Sequence, residues 1–199
     1  RASVSRHYLE PAIKRKNLKI FSNSFVEKIV FEGKKAIGIE VKKNNKKSTI
    51  FATKEIILSA GSINSPQLLM LSGVGPAKHL NEFGIKIIKD LPGVGKNLQD
   101  HLETYIQREC ITSDTLYSAT KLLNKIILGI QWFLFRTGIG ATSHLEAGGF
   151  VKSTNTKSYP NIQFHFFPSL VINHGLINPK SHGFQLHVSP NHPKSRGEI

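Results

Sequence analysis

The stretch from Glu55 to Pro76, EIILSAGSINSPQLLMLSGVGP, constrains the fold more than any other part of this chain. It opens with a continuous apolar run, the pattern of a strand covered on both faces. The run breaks at Ala60-Gly61-Ser62, where small side chains let a second backbone or a ligand come close. Ser65 suits a helix N-cap and Pro66 the first helical position. A short apolar helix would follow and stop at Gly73, which can take the left-handed cap conformation. The order is therefore strand, tight turn, short helix, stop. Free amides at such a turn suit an anionic group such as a phosphate. They equally suit a turn packed on a sheet. GVG occurs at 73–75 and again at 93–95, and neither copy fits the dinucleotide G-x-G-x-x-G pattern.

The surrounding sequence is mixed. SVSRHYLEPAIKR reads as a helix with Val4, Tyr8, Ala12 and Ile13 near one face. Residues 17–61 hold three or four strands divided by EGKK and KKNNKK, both turn-like. Phe25, Lys28 and Val30 break strict alternation, so a bulge is expected. PAKHLNEFG predicts a short helix ended by Gly84, IKIIKD a strand, LPGVGKNLQDH a glycine-rich loop and LETYIQREC another strand. The longest helical pattern runs through DTLYSATKLLNKIILGIQWFLFRTG with Gly138 as its stop. Its apolar face is expected to cover a core, with peripheral membrane contact as the alternative, since Lys121, Lys125 and Arg136 sit beside Leu, Ile, Trp and Phe. EAGGFV, NIQFHFF and GFQLHVSP are strand-like.

Composition narrows the partners. The net charge of +14 comes mostly from scattered lysines, and no aromatic-basic interleave of the kind single-strand binders use is visible, so nucleic acid is not expected as a partner. A single cysteine, Cys110, cannot form an internal disulfide or a multi-cysteine metal site, and no metal is expected. No apolar run reaches the roughly 20 residues needed to span a bilayer, and the first residues lack a signal-peptide core. Cytoplasm or the periphery of an inner membrane is the expected location.

EIILSAGSINSPQLLMLSGVGPAKHLNEFGIKIIKDLPGVGKNLQDH strongly resembles the glucose–methanol–choline (GMC) flavoenzyme family, in which the AGS-to-SGVG segment looks like a signature and LPGVGKNLQDH follows at the family's spacing. GATSHLEAGGFVKS, YPNIQFHFFPS and HGFQLHVSPNHPKSRGEI resemble its choline-oxidising branch. The resemblance implies a mixed α/β and α+β fold. Residues 1–101 would be part of an FAD-binding domain, and residues 102–199 part of a substrate-binding domain with an antiparallel sheet. It implies FAD as cofactor and a small alcohol, choline first, as substrate. The electron acceptor, oxygen or a membrane quinone, stays open. Another alcohol as substrate and a noncatalytic flavin-fold remnant are the competing readings.

Residue by residue, the resemblance places Val26, Ala60, Gly61, Asn97, Asp100 and His101 along the cofactor. Val26 would meet the adenine ring through its backbone, and strand core accounts for its identity equally well. Asn97, Asp100 and His101 would lie in a loop toward the flavin, or simply form a polar turn that fixes its own backbone. Glu146 would face the substrate cation and His192 would hydrogen-bond the substrate hydroxyl. Trp132, Phe150, Phe164, Phe166 and Phe167 are candidates for an aromatic cage. The family's Rossmann glycine motif is expected before Arg1 and its catalytic histidine after Ile199. No catalytic base is therefore assigned within the chain, and residues 1–199 alone are expected neither to retain flavin nor to oxidise choline.

Overall fold

The computed structural model describes residues 3–145 and 147–199. They form two compact units, one of residues 4–99 with 194–199, the other of residues 100–193 with Ser3.

The first unit starts with a single π-helical turn, Ser5–Leu9, running into a short helix α1 (Glu10–Ala12). Strands β1 (Phe25–Glu32), β2 (Lys35–Lys43) and β3 (Lys46–Phe51) make an antiparallel meander in that order. The tips are as the sequence predicts: Gly33 at φ 58° turns the first hairpin, and Asn44 and Asn45 at φ 48° and 61° turn the second. The expected bulge is present in β1, with register shifts between Val26 and Lys28 and between Val30 and Phe31.

Helix α2 (Gly61–Leu71), strand β4 (Val74–Gly75), helix α3 (Ala77–Glu82) and strands β5 (Lys89–Asp90) and β6 (Lys96–Leu98) complete the first unit's early part. β4 and β5 pair in parallel. Leu80 of α3 is fully buried and, with Met70 and Val74, forms the small core beneath this turn. As expected, α3 ends before Gly84, which sits at φ 66°.

Three sequence expectations fail here. EIILSA is not a strand: Ile57 is 79% exposed, and no strand among the described residues lies beside the run to pair with it. Ser65 and Pro66 do not open α2. Gly61, at φ 88°, turns the chain into the helix directly after Ala60, and Pro66 lies inside, where its missing N–H forfeits one helical bond. The Ser65 hydroxyl instead accepts from the Ala60 N–H at 3.1 Å. IKIIKD contributes only the two-residue β5, because Lys86 and Ile88 pack against Gly73 rather than along a partner strand.

The second unit is a four-stranded antiparallel sheet, order β7-β10-β9-β8, made of β7 (Thr104–Glu109), β8 (Ala147–Val151), β9 (Ile162–Phe167) and β10 (Gly183–Pro190). The long helical pattern resolves into a 3-10 turn, Leu116–Thr120, and helix α4 (Leu122–Phe135). Arg136, at φ 56°, caps α4 two residues before Gly138. Whether the apolar face of α4 covers a core, as expected, is not decided by these residues alone. None of its residues is buried, and only the Asn124, Leu128 and Gln131 strip is half-buried. The last strand, β11 (Gly197–Glu198), belongs to the first unit and pairs with β6.

Gly61 and Gly73 both need a left-handed backbone at φ 88°, but their surroundings differ. A Cβ on Gly61 would meet nothing within 4 Å, whereas one on Gly73 would lie 2.3 Å from the Lys86 carbonyl oxygen. Gly61→Ala should cost about 1 kcal/mol of strain alone. Gly73→Ala should cost about 3 kcal/mol or more, because the backbone must also shift. Denaturant titration of the two variants in the full-length protein measures the difference, and equal losses would contradict this account.

Candidate functional site

β1 is an edge strand of the three-stranded sheet, and α2 lies along its free edge. The contact is fixed by the buried Ser72 at the end of α2. Its Oγ accepts from the Ile29 N–H at 2.8 Å and donates to the Leu68 carbonyl at 2.5 Å. One hydroxyl thus satisfies a strand amide and a helix carbonyl together. Above this bridge the start of β1, the open run 57–60 and one face of α2 diverge and leave a cavity of about 420 Å³. Phe25, Val26, Ile57, Ala60, Asn64 and Leu68 are among its walls. The structure therefore brings together Val26 and Ala60, which lie 34 residues apart in the sequence. Gly61 sits at the same corner, with open space where a side chain would project.

The lining suits a flat heteroaromatic ring: apolar side chains on several sides and edge-strand backbone for hydrogen bonds. The exposed first residues of α2, beside Ala60 and Gly61, suit an attached anionic group. A nucleotide-type cofactor fits these residues.

The other face of α2 borders a second pocket of about 180 Å³, lined by Ser62, Pro66, Gly95, Asn97 and Ile199 among others. Asn97, at φ 61°, holds a left-handed turn that asparagine tolerates. Lys96, which also lines this pocket, bonds Glu198; that hydrogen bond and the lysine charge hold the Glu198 carboxyl below its usual range.

Asp100 and His101 belong to the second unit. The Asp100 carboxylate accepts from the His101 N–H at 2.9 Å, the self-fixing turn that sequence also allowed. The His101 ring reaches the Pro190 carbonyl at 3.1 Å; a carbonyl only accepts, so Nδ1 is the donor. His101 is thereby tied to the end of β10, close in sequence to His192. The His192 ring meets Tyr159 edge-on, with centroids 5.5 Å apart. Glu146 lies outside the described residues.

Sequence reasoning missed one constellation. β9 and β10 both carry Gln-x-His, Gln163 with His165 and Gln185 with His187, and the register sets His165 opposite His187. Gln185 is almost fully buried. Its Oε1 accepts from the Val171 N–H at 3.3 Å and from Gln107 Nε2, so its Nε2 must donate to His187 Nε2 at 2.6 Å. His187 then donates from Nδ1 to the Glu103 carboxylate at 2.9 Å. Tyr105 lies beside the His187 ring, 5.6 Å away. The repeated Gln-x-His at period two was the available signal.

The same register sorts the cage candidates. Phe150 pairs with Gln163 and Phe167 with Gln185, so both share the histidine face. Phe164 and Phe166 point to the opposite face, where Phe166 packs on Phe184 at 5.5 Å. Trp132 lies on α4 under the Arg136 guanidinium, 4.3 Å from it. Among the described residues no group of three or more His, Cys, Asp or Glu is arranged to hold a metal.

The GMC oxidoreductase family model matches residues 1–103, and the chain belongs to that family. Over all 199 residues it is 52% identical to an oxygen-dependent choline dehydrogenase of Brucella ovis, covering 100% of this chain and 36% of that protein. It is 50% identical over 190 residues to the mitochondrial choline dehydrogenase of Homo sapiens, covering 96% of this chain and 32% of that protein. Among solved structures it superposes on pyridoxine 4-oxidase from Mesorbium loti with a TM-score of 0.73 at 26% identity, covering 100% of this chain and 35% of the other. A formate oxidase variant from Aspergillus oryzae shares the fold at a TM-score of 0.82 and 21% identity, covering 92% of this chain and 37% of the other. The chain thus spans about a third of the length of the curated relatives it matches.

The Ser72 bridge holds the cavity wall in place. Ser72→Ala should leave the Ile29 amide buried without a partner and cost about 1–3 kcal/mol. Denaturant unfolding of the full-length protein checks this. A loss near zero would mean that β1 and α2 are held by apolar contact alone.

Proposed function

We propose that this chain is part of an FAD-dependent choline dehydrogenase that oxidises choline to betaine aldehyde. The likeness to choline dehydrogenases over the full length of the chain, at 52% identity, carries the reading. The cavity that Val26 and Ala60 share supports it from the geometry. FAD, when bound, supplies the acceptor for the hydride that leaves the alcohol carbon. The chain's own residues bind and orient. Val26 offers edge-strand backbone, Ala60 and Gly61 give clearance at the start of α2, and Asn97, Asp100 and His101 shape the loop toward the flavin. Residues 1–101 are the FAD-binding part on this reading and residues 102–199 the substrate-binding part.

A fixed quaternary cation calls for aromatic faces and a carboxylate. Phe150 and Phe167, on the histidine face of the sheet, are the cage candidates that the register favours. Glu146 supplies the carboxylate and His192 a hydrogen bond to the substrate hydroxyl, holding its carbon toward the flavin. The enzyme would work in the cytoplasm or peripherally on an inner membrane, passing electrons to oxygen or to a membrane quinone.

Turnover of the full-length protein, with choline and with an uncharged alcohol of similar size, each with oxygen and with an artificial acceptor, tests the substrate. Choline should be preferred, and Glu146→Gln should weaken choline by about 1–3 kcal/mol while sparing the uncharged alcohol. Equal losses for both substrates would assign Glu146 a structural role, and no choline turnover by the wild type with either acceptor would overturn the reading.

His192→Ala should slow flavin reduction by choline on the order of ten- to a hundredfold, the loss expected from poorer orientation. Flavin content and Tm should stay unchanged. Rapid mixing under anaerobic conditions measures the rate. A histidine that merely braces Tyr159 would instead lower Tm and leave the rate intact.

A further inference from the structure

One row of residues crosses the sheet of the second unit from edge to edge. Tyr105, His187, His165 and Gly148 stand opposite one another on β7, β10, β9 and β8. Residues two apart on a strand share a face, so Phe167, two beyond His165, lies on the face of this row, as does Phe150, which pairs with Gln163. His165 therefore stands between two aromatic positions. Its neighbour on β8, Gly148, has no side chain to cover that flank of the imidazole.

The two histidines of the row differ in what their ring nitrogens do. Both nitrogens of His187 are taken, Nε2 by the Gln185 amide and Nδ1 by the Glu103 carboxylate. Gln185 is buried and its oxygen is held by Val171 and Gln107, which fixes that arrangement. His165 is committed on one side only. Gln163 Nε2 lies 2.7 Å from His165 Nε2; an amide nitrogen only donates, so His165 Nε2 accepts and the ring hydrogen is on Nδ1. Among the described residues no acceptor bonds this Nδ1–H. His165 is half-buried, and among the described residues no side-chain nitrogen sealed from solvent lacks a partner, so the Nδ1–H opens onto the face. A donor held in one orientation between two aromatic positions suits a small acceptor joined to a cation. His165 and Phe150 are diagonal neighbours across β9 and β8, about 7–8 Å apart at the backbone. At that spacing a two-carbon link can reach from an oxygen on the imidazole to a cation on the ring.

We infer that His165 is a substrate-binding residue whose Nδ1–H donates to the oxygen of the alcohol while the cation lies against Phe150. A donor cannot take the hydroxyl proton, so His165 orients the substrate and is not its base. The inference deepens the choline reading and rests on it.

Anaerobic rapid mixing of the full-length enzyme measures choline affinity from flavin reduction. Competition measures the affinity of propyltrimethylammonium, which carries a methyl group in place of the hydroxyl. His165→Gln keeps a partner for Gln163 but has no donor at the Nδ1 position. It should weaken choline about three- to tenfold, the size of one neutral hydrogen bond, and leave propyltrimethylammonium binding as it was. His165→Asn, whose amide nitrogen can stand where Nδ1 stands, should recover most of that loss. Gln163→Leu leaves the histidine in place but lets the ring hydrogen move to Nε2. It should weaken choline and not propyltrimethylammonium, and it decides the matter if the His165 variants do not fold. Choline affinity kept by His165→Gln and lost by His165→Asn overturns the inference, because only the bond to Gln163 would then matter. Equal losses for the two cations overturn it as well, and so does a Gln163→Leu variant that binds choline like the wild type. Wild-type enzyme that fails to turn over choline overturns the choline reading and this inference with it; where the wild type does turn choline over, the variants judge His165 alone.

Discussion

The first unit depends on one hydroxyl. β1 is the edge of a small sheet, and an edge strand leaves every second amide without a partner. Ser72 answers the buried one, Ile29, while returning its own proton to Leu68 within the helix. This joins α2 to β1 by a bridge rather than by area, which matters because the apolar core is thin: Ile29, Val41, Met70, Val74 and Leu80 are its buried hydrophobics. With α2 pinned there, the helix cannot slide along the strand. Its face at Asn64 and Leu68 stays opposite Val26, and Ala60 stays at the corner where the two elements part. The cavity exists because the elements are tied at one end and diverge at the other.

Much of this was legible locally. Turn chemistry at Gly33, Asn44 and Asn45, the bulge in β1, the stop at Gly73 and the ends of α3 are dictated by a few neighbouring residues each, and they came out as read. What failed depended on distant partners. EIILSA has the composition of a covered strand, but strand formation needs a neighbour to bond, and composition cannot supply one. Ser65 and Pro66 form a sound start signal, yet Gly61 gives the chain an earlier entry to the helix, and the hydroxyl was diverted to the Ala60 amide. α4 was read correctly as amphipathic; where its apolar face would go was not in its own sequence.

The candidate site shows the same division. Val26 and Ala60 were each named from resemblance, and only tertiary structure shows that they wall one cavity. Asp100 and His101 have partners of their own, a backbone amide and the Pro190 carbonyl, which fix the loop's shape as firmly as any ligand could. The Gln-x-His repeats went unread because glutamine and histidine on a strand ordinarily signal a solvated face. The register turns them into a connected set: Gln107 and Val171 orient Gln185, Gln185 orients His187, and His187 reaches Glu103.

That set gives the sheet two unlike faces. Phe164, Phe166 and Phe184 lie on one, an ordinary apolar surface on which the Phe166 and Phe184 rings meet at a tilt. The other mixes Phe150, Phe167 and Tyr105 with His165 and His187. An apolar face needs no fixed orientation, whereas a polar network on a sheet stabilises only if each donor finds an acceptor. Here the network runs from a buried glutamine to an exposed carboxylate with every role assigned, so its rings are held rigidly beside the aromatics. On the proposed choline reading, such a face would offer both aromatic rings for a cation and fixed hydrogen-bonding groups for a hydroxyl. The antiparallel register is what makes that combination available, because it brings period-two patterns from separate strands onto a single face.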